Sequence, residues 1–119
     1  MSNDNLIIYH NPSCSKSRET LQILEDNQVE LNIIEYLDQP PTRQELKQII
    51  GMLGISARDL MRTTEQVYKD TELDDESLTE EEIIEAICEF PTLLQRPIVV
   101  WGDKAVIGRP PEKVLEILA

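Results

Sequence analysis

The sequence predicts an α/β fold built on a mixed four-stranded sheet, and three observations carry that expectation. An apolar run, Leu6-Ile7-Ile8-Tyr9, is followed by a helical pattern and then by a second β-branched run, the signature of a strand–helix–strand unit. The middle third shows helical periodicity and no strand signal. The last quarter holds two short β-type runs joined by Gly102-Asp103, closed by a helical pattern that Pro110-Pro111 opens.

Taken in order, Leu6 to Tyr9 forms a buried strand that Asn11-Pro12 stops. From Ser15 to about Asn27, Leu21, Ile23 and Leu24 fall on helical spacing and leave Glu19, Glu25 and Asp26 for water. Val29 to Leu37 alternates as a second strand before the Asp38-Gln39-Pro40-Pro41 break. A right-handed crossover through the helix makes these two strands parallel. Thr42 with Glu45 forms a capping box for a helix carrying Leu46, Ile49 and Ile50, which Gly54 closes. Ser56 caps a short helix through Leu60-Met61-Arg62, Glu65 to about Leu73 is a weaker helix, and Thr79 with Glu82 caps Ile83 to Phe90.

Arg96 to Trp101 then makes a strand, and Ala105 to Gly108 its antiparallel partner. The final helix presents Val114, Leu115, Ile117 and Leu118. The expected organisation is one domain over residues 1–119 with a helical insertion over about 42–91. A mixed sheet with helices on both faces buries every apolar face in that order. It is also the architecture of the thioredoxin-like folds, in which a reactive cysteine stands between the first strand and the first helix.

Composition narrows the partners. The net charge of −12 is concentrated: from Glu65 to Glu89 there are eleven acids against one base, Lys69, while the remainder holds twelve acids and ten bases. With no basic stripe to neutralise phosphates, nucleic acid is not an expected ligand. The acidic block reads as a solvated helix face. Met1-Ser2-Asn3-Asp4-Asn5 lacks a basic leader region, and the apolar run after it is too short for a membrane span, so a cytoplasmic protein that binds no membrane is expected; a monomer is expected as well. The two cysteines, Cys14 and Cys88, have neither zinc-site nor C-x-x-C spacing, which leaves no disulfide framework, no metal site and no bound cofactor to expect.

Cys14 is the residue with chemistry around it. It sits in Tyr9-His10-Asn11-Pro12-Ser13-Cys14-Ser15-Lys16-Ser17-Arg18, past a strand and before a helix. A thiol of ordinary pKa, ~8.5, is mostly protonated at neutral pH, and a helix N-terminus with neighbouring cations favours the anion. His10, Lys16 and Arg18 are the cations at hand. Cys88 lies in an apolar helix stripe with Ile84 and Ile87 and reads as core.

Five ordered blocks then carry a resemblance over essentially the whole chain. They are Tyr9-His10-Asn11-Pro12-x-Cys14-x-x-Ser17-Arg18, Tyr36-Leu37, Gly54-Ile55-Ser56 with Leu60-x-Arg62, Arg96-Pro97-Ile98-Val99-Val100, and Arg109-Pro110. Together they resemble the arsenate reductases of the glutathione- and glutaredoxin-dependent ArsC family. The resemblance implies Cys14 as nucleophile toward arsenate or a similar oxyanion, with His10 helping to keep it ionised. It implies Arg62, Arg96 and Arg109 as oxyanion ligands, and glutathione and glutaredoxin as external reductants. A cis proline at Pro97 is implied too, with Ser17, Arg18 and Lys16 in support near the thiolate.

Arginine's planar fork suits a multi-oxygen anion better than lysine's point charge, which agrees with the implied set. On the residues alone, Arg62 at a helix end would equally serve the helix dipole, Arg96 and Arg109 would be rim charges of a hairpin, His10 a satisfied strand-end residue, and Ser17 a simple cap. Resistance-type members carry a glycine where this chain has Ser15, a small neutral residue where it has Lys16, and a longer C-terminus, so the resemblance is to a short chromosomal branch. Two other functions fit part of the pattern: a glutathione-dependent thiol/disulfide reductase, and an RNA polymerase-binding regulator resembling the Spx proteins. Many Spx proteins use C-x-x-C as a switch, and Ser17 stands in that place here.

Overall fold

A computed structural model of the chain describes residues 6–118. The five N-terminal residues from which the lack of a basic leader was read lie outside them. The elements are β1 (Leu6–His10), α1 (Ser15–Asp26), β2 (Leu31–Glu35), α2 (Arg43–Leu53), α3 (Gln66–Asp70), α4 (Glu80–Glu89), β3 (Ile98–Trp101), β4 (Lys104–Ile107) and α5 (Leu115–Leu118), with 3₁₀ turns at Arg58–Leu60, Pro91–Leu93 and Pro111–Val114. They gather into two compact units: the described residues up to Gln39 with those from Arg96 onward, and Pro40–Gln95.

The first unit is a sheet of order β2-β1-β3-β4, in which β1 runs parallel to β2 and antiparallel to β3, and β3 pairs antiparallel with β4. This is the thioredoxin-like arrangement. The pleat sends alternate side chains to opposite faces. Leu6 and Ile8 therefore share a face with Val99, which faces Ile8, and with Val106, which faces Val99. Leu24 from α1, Val114 and Ile117 complete that core, so α1 and the C-terminal helical segment cover the same side. The same alternation turns His10 toward α1, while Tyr9, Ile98 and Val100 are buried on the opposite side.

Several boundaries differ from the expectation. β2 stops at Glu35 rather than Leu37, because Asp38 and Gln39 turn back to donate to the Glu35 carbonyl. Of the apolar stripe read on α1, Leu24 is buried and Leu21 and Ile23 only partly so; the other buried positions are polar, Ser17 and Thr20. Leu115, expected on the apolar face of the last helix, is 45% exposed. The segment enters through a 3₁₀ turn of three residues per turn, which turns Val114 and Ile117 inward and Leu115 outward.

The second unit is mainly helical. Thr42–Glu45 and Thr79–Glu82 both form complete capping boxes, as the sequence implied, each satisfying amides that the helix start leaves without partners. Gly54 ends α2 in the left-handed conformation at φ 69°, a region glycine enters without steric cost. The helix expected through Arg62 is shorter. It is a 3₁₀ turn over Arg58–Leu60, after which Met61 extends and bridges Leu94, with Arg62 N–H donating to the Leu93 carbonyl at 2.6 Å and Gln95 N–H to that of Leu60 at 2.9 Å. Arg62 thus ends no helix, and the dipole role open to it on sequence does not arise. α3 is likewise shorter than Glu65 to Leu73. Among the described residues no helix is long and apolar enough to cross a membrane.

One close approach holds the hairpin to α1. A Cβ on Gly108 would lie 2.7 Å from Thr20 Oγ1 and 2.9 Å from Pro97 Cγ, both closer than real contacts allow. Gly108 N–H donates to the Pro97 carbonyl at 2.9 Å, so the strand cannot simply back away. Gly108→Ala is expected to destabilise the protein by about 1–3 kcal/mol, the usual range for overpacking. Urea titration against the parent checks it, and an unchanged midpoint would contradict the packing described.

Candidate active site

Cys14 is the N-cap of α1, in extended conformation, with its amide donating to the Asn11 carbonyl at 2.9 Å and its own carbonyl accepting from Arg18 N–H at 3.0 Å. The sulfur is partly exposed at the mouth of the helix. It makes no capping hydrogen bond in the ordinary sense, yet the amides of Ser17 and Lys16 lie close enough to stabilise a charge on it. The first turn of α1 carries no acid, so nothing there opposes the positive end of the helix. Burial alone would raise the Cys14 pKa. The Ser17 amide, the Arg96 guanidinium and the Lys16 amide together outweigh it, and the thiol is held below its ordinary value.

Arg96 is the cation at this sulfur. It is half-buried, precedes a cis bond to Pro97 that the resemblance implied, and lies within hydrogen-bonding reach of Cys14. Its Nη1 also donates to Tyr36 Oη, at a long 3.4 Å. Its Nε is buried with no acceptor among the described residues. A buried N–H left without a partner costs about 1–3 kcal/mol, and an anion oxygen would satisfy it. Arg109 is exposed; it too precedes a cis proline bond, and its Nη1 donates to the Arg96 carbonyl at 3.2 Å, which places two guanidinium-bearing residues side by side on the loop ends of the hairpin.

His10 departs from the expectation. Its imidazole is 6% exposed, and burial holds its pKa below the ordinary value; Glu35 and Glu25 pull the other way, Arg18 with burial, and burial wins. At neutral pH it is therefore neutral and not a source of positive charge. Its Nδ1 lies 2.6 Å from Ser17 Oγ, which also accepts from the Asn11 amide at 3.0 Å. His10 thus fixes Ser17, whose backbone amide addresses the sulfur. Lys16 and Arg18 are also corrected as charge sources: both side chains are exposed, neither charge figures among the influences on Cys14, and Arg18 Nη1 instead donates to the Pro12 carbonyl at 2.9 Å, bracing the loop.

Arg62 lies in the second unit, where its Nε is 3.3 Å from the Glu65 carboxylate, both side chains being mostly buried. Cys88, in the same unit, has its pKa raised by burial, with its thiol 3.8 Å from the Pro41 carbonyl. Among the described residues no group of His, Cys, Asp and Glu is arranged to hold a metal ion. Two residues that stand in the sequence blocks without an assigned role, Asn11 and Tyr36, organise the site. Asn11 is 6% exposed and closes the loop through its backbone, while its Oδ1 accepts from Ser13 N–H at 2.9 Å. Tyr36, fully buried, meets both Arg96 and the Asn11 side chain. A signal existed for Tyr36: a tyrosine at the strand's end, beside a turn, needs an inward partner for its hydroxyl if it is buried.

Comparison with known proteins agrees with this geometry. Residues 9–117 match the model of the ArsC family. The chain is 53% identical to the uncharacterized protein YfgD of Escherichia coli, covering 93% of this chain and 94% of that one. It is 51% identical to an arsenate reductase of Haemophilus influenzae, over 95% of this chain and 98% of that one. The solved structure of an arsenate reductase from Vibrio cholerae superposes with a TM-score of 0.93 at 44% identity, covering 98% of this chain and 99% of that one.

Two outcomes follow from the electrostatics. Iodoacetamide at neutral pH should modify Cys14 well before Cys88, since one thiol is held below and the other above the ordinary value, and Arg96→Ala should move the pH midpoint of Cys14 alkylation upward. Peptide mapping by mass spectrometry reads both; equal rates at the two thiols would contradict the assignment. For His10, a pKa lowered by folding means the unfolded chain binds the proton more readily. Its contribution is therefore complete above about pH 6.5 and is lost as pH falls through the lower folded value. Melting temperatures across that range should fall less steeply in His10→Gln than in the parent.

Proposed function

The chain belongs to the ArsC family, and from that premise we propose that it is an arsenate reductase in which Cys14 is the nucleophile. The observation that carries the reading is the pairing of a thiol held toward its anion with a guanidinium that, among the described residues, pairs with no carboxylate and whose Nε–H is buried without an acceptor. A disulfide as substrate offers no charged oxygens to use that donor. An oxyanion does.

In the proposed reaction the Cys14 thiolate attacks pentavalent arsenic, an As–S bond forms, and one arsenate oxygen leaves as water after taking up protons. Arg96 and Arg109 hold the remaining oxygens; donors set in place before reaction need no reorganisation as charge shifts, which is where such groups contribute most. Arg62 enters this reading from the resemblance alone. Glutathione then displaces a second oxygen as water and is bonded through sulfur to the same arsenic. A glutaredoxin thiolate attacks the glutathione sulfur, forming a mixed disulfide and leaving the S–As electron pair on arsenic, now trivalent. Water releases arsenite and restores Cys14. Two thiols outside the chain thus lose the two electrons that arsenic gains. The presence of Ser17 at the position where a C-x-x-C would hold its second sulfur supports an external reductant. We take the protein to bind no resident cofactor and to work as a cytoplasmic monomer.

The test is oxidation of NADPH in a coupled mixture of glutathione, glutathione reductase and glutaredoxin. Arsenate-dependent turnover is expected from the parent and from Cys88→Ser, none above background from Cys14→Ser, and a loss of about 10²–10³ in rate from Arg96→Ala. A full rate in Cys14→Ser, or a Cys14–Cys88 disulfide accumulating during turnover, would overturn the scheme.

A further inference from the structure

We propose that Tyr36 is a positioning residue for this chemistry: its buried hydroxyl holds the Arg96 guanidinium against the Cys14 sulfur without neutralising it. The inference rests on the reading of Cys14 as the reacting thiol. Tyr36 lies just beyond β2 and is fully buried, and its hydroxyl receives Arg96 Nη1 at 3.4 Å. The side chain of Asn11 also acts on it, in the direction that favours the phenolate. The Asn11 side chain is itself held in place, because its oxygen accepts from Ser13 N–H at 2.9 Å. A line of contacts therefore runs from Asn11, at the start of the cysteine loop, through Tyr36 to Arg96 and back to Cys14.

The choice of acceptor matters. A guanidinium is usually held by a carboxylate, as Arg62 is by Glu65. A carboxylate beside Arg96 would fix the fork firmly and cancel the charge that the thiolate and an arriving anion both need. A neutral phenol fixes the fork and leaves that charge in place. Burial keeps Tyr36 neutral, raising its pKa more than Arg96 and Asn11 lower it. Arg96 is the cation acting on both Cys14 and Tyr36, and the Cys14 sulfur is the anion acting on Tyr36.

Tyr36→Phe keeps the ring and removes the oxygen. Expected results are an upward move of the pH midpoint for Cys14 alkylation and a roughly 10- to 100-fold fall in kcat/KM for arsenate, as a well-placed group loses its orientation. A structural role alone would lower the melting temperature and leave the alkylation midpoint where it was; that outcome overturns the proposal. The double variant Tyr36→Phe with Arg96→Ala separates the two further. If Tyr36 acts through Arg96, its loss adds nothing to the alkylation shift already caused by Arg96→Ala, whereas additive shifts would refute positioning. Because alkylation needs no arsenate, it reads the role of Tyr36 even if the protein reduces no arsenate at all, which keeps failure of this inference distinct from failure of the proposed reaction.

Discussion

A half-buried thiol held toward its anion needs compensation, and here the compensation is the Arg96 guanidinium together with the first amides of α1. Partial burial works against the thiolate, so the cation and the helix end must outweigh it. That requirement ties together parts of the chain far apart in sequence. Cys14 must stop one residue short of α1, so that it caps the helix rather than joining it. Arg96 must stand at the entry of β3, the neighbour of β1 in the sheet. Tyr36 must be buried after β2 to keep the guanidinium in place.

The scaffold meets these demands with polar residues in positions that packing alone would give to leucine. Ser17 and Thr20 occupy the buried face of α1, and each has a specific partner: Ser17 engages His10 and the Asn11 amide, and Thr20 bonds the Lys16 carbonyl and approaches the Gly108 carbonyl. Buried hydroxyls are tolerated when they are hydrogen-bonded. Gly108 then allows α1, Pro97 and β4 to approach within a distance no side chain would permit. The charged residues that flank Cys14 in sequence do not provide its charge compensation. Histidine is buried neutral, and Lys16 and Arg18 turn to solvent and to the loop carbonyl.

Much of the fold was legible along the chain, because its signals are local. The two capping boxes, the glycine that ends α2, the strand before Asn11-Pro12 and the hairpin about Gly102-Asp103 each depend on residues within a few positions of one another. Cys14 was legible for the same reason: strand end, lone thiol and helix start are adjacent. Where the reading failed, a distant partner decided. The helix through Arg62 was cut short because Met61 pairs with Leu94, more than thirty positions away, and the last helix turned Leu115 outward because a 3₁₀ turn precedes it.

The sequence by itself therefore determined the order of elements and the place of the cysteine between β1 and α1, and its five motif blocks pointed to the arginines. Which cation serves the thiolate was decided only by the tertiary structure. Proximity in sequence favoured His10, Lys16 and Arg18, but the energy of a charge depends on distance through space and on exposure to water. The parallel and antiparallel pairing of β1 with its two neighbours brought Arg96 and Tyr36 to the end of the strand that carries the cysteine loop, and burial discharged the histidine beside it.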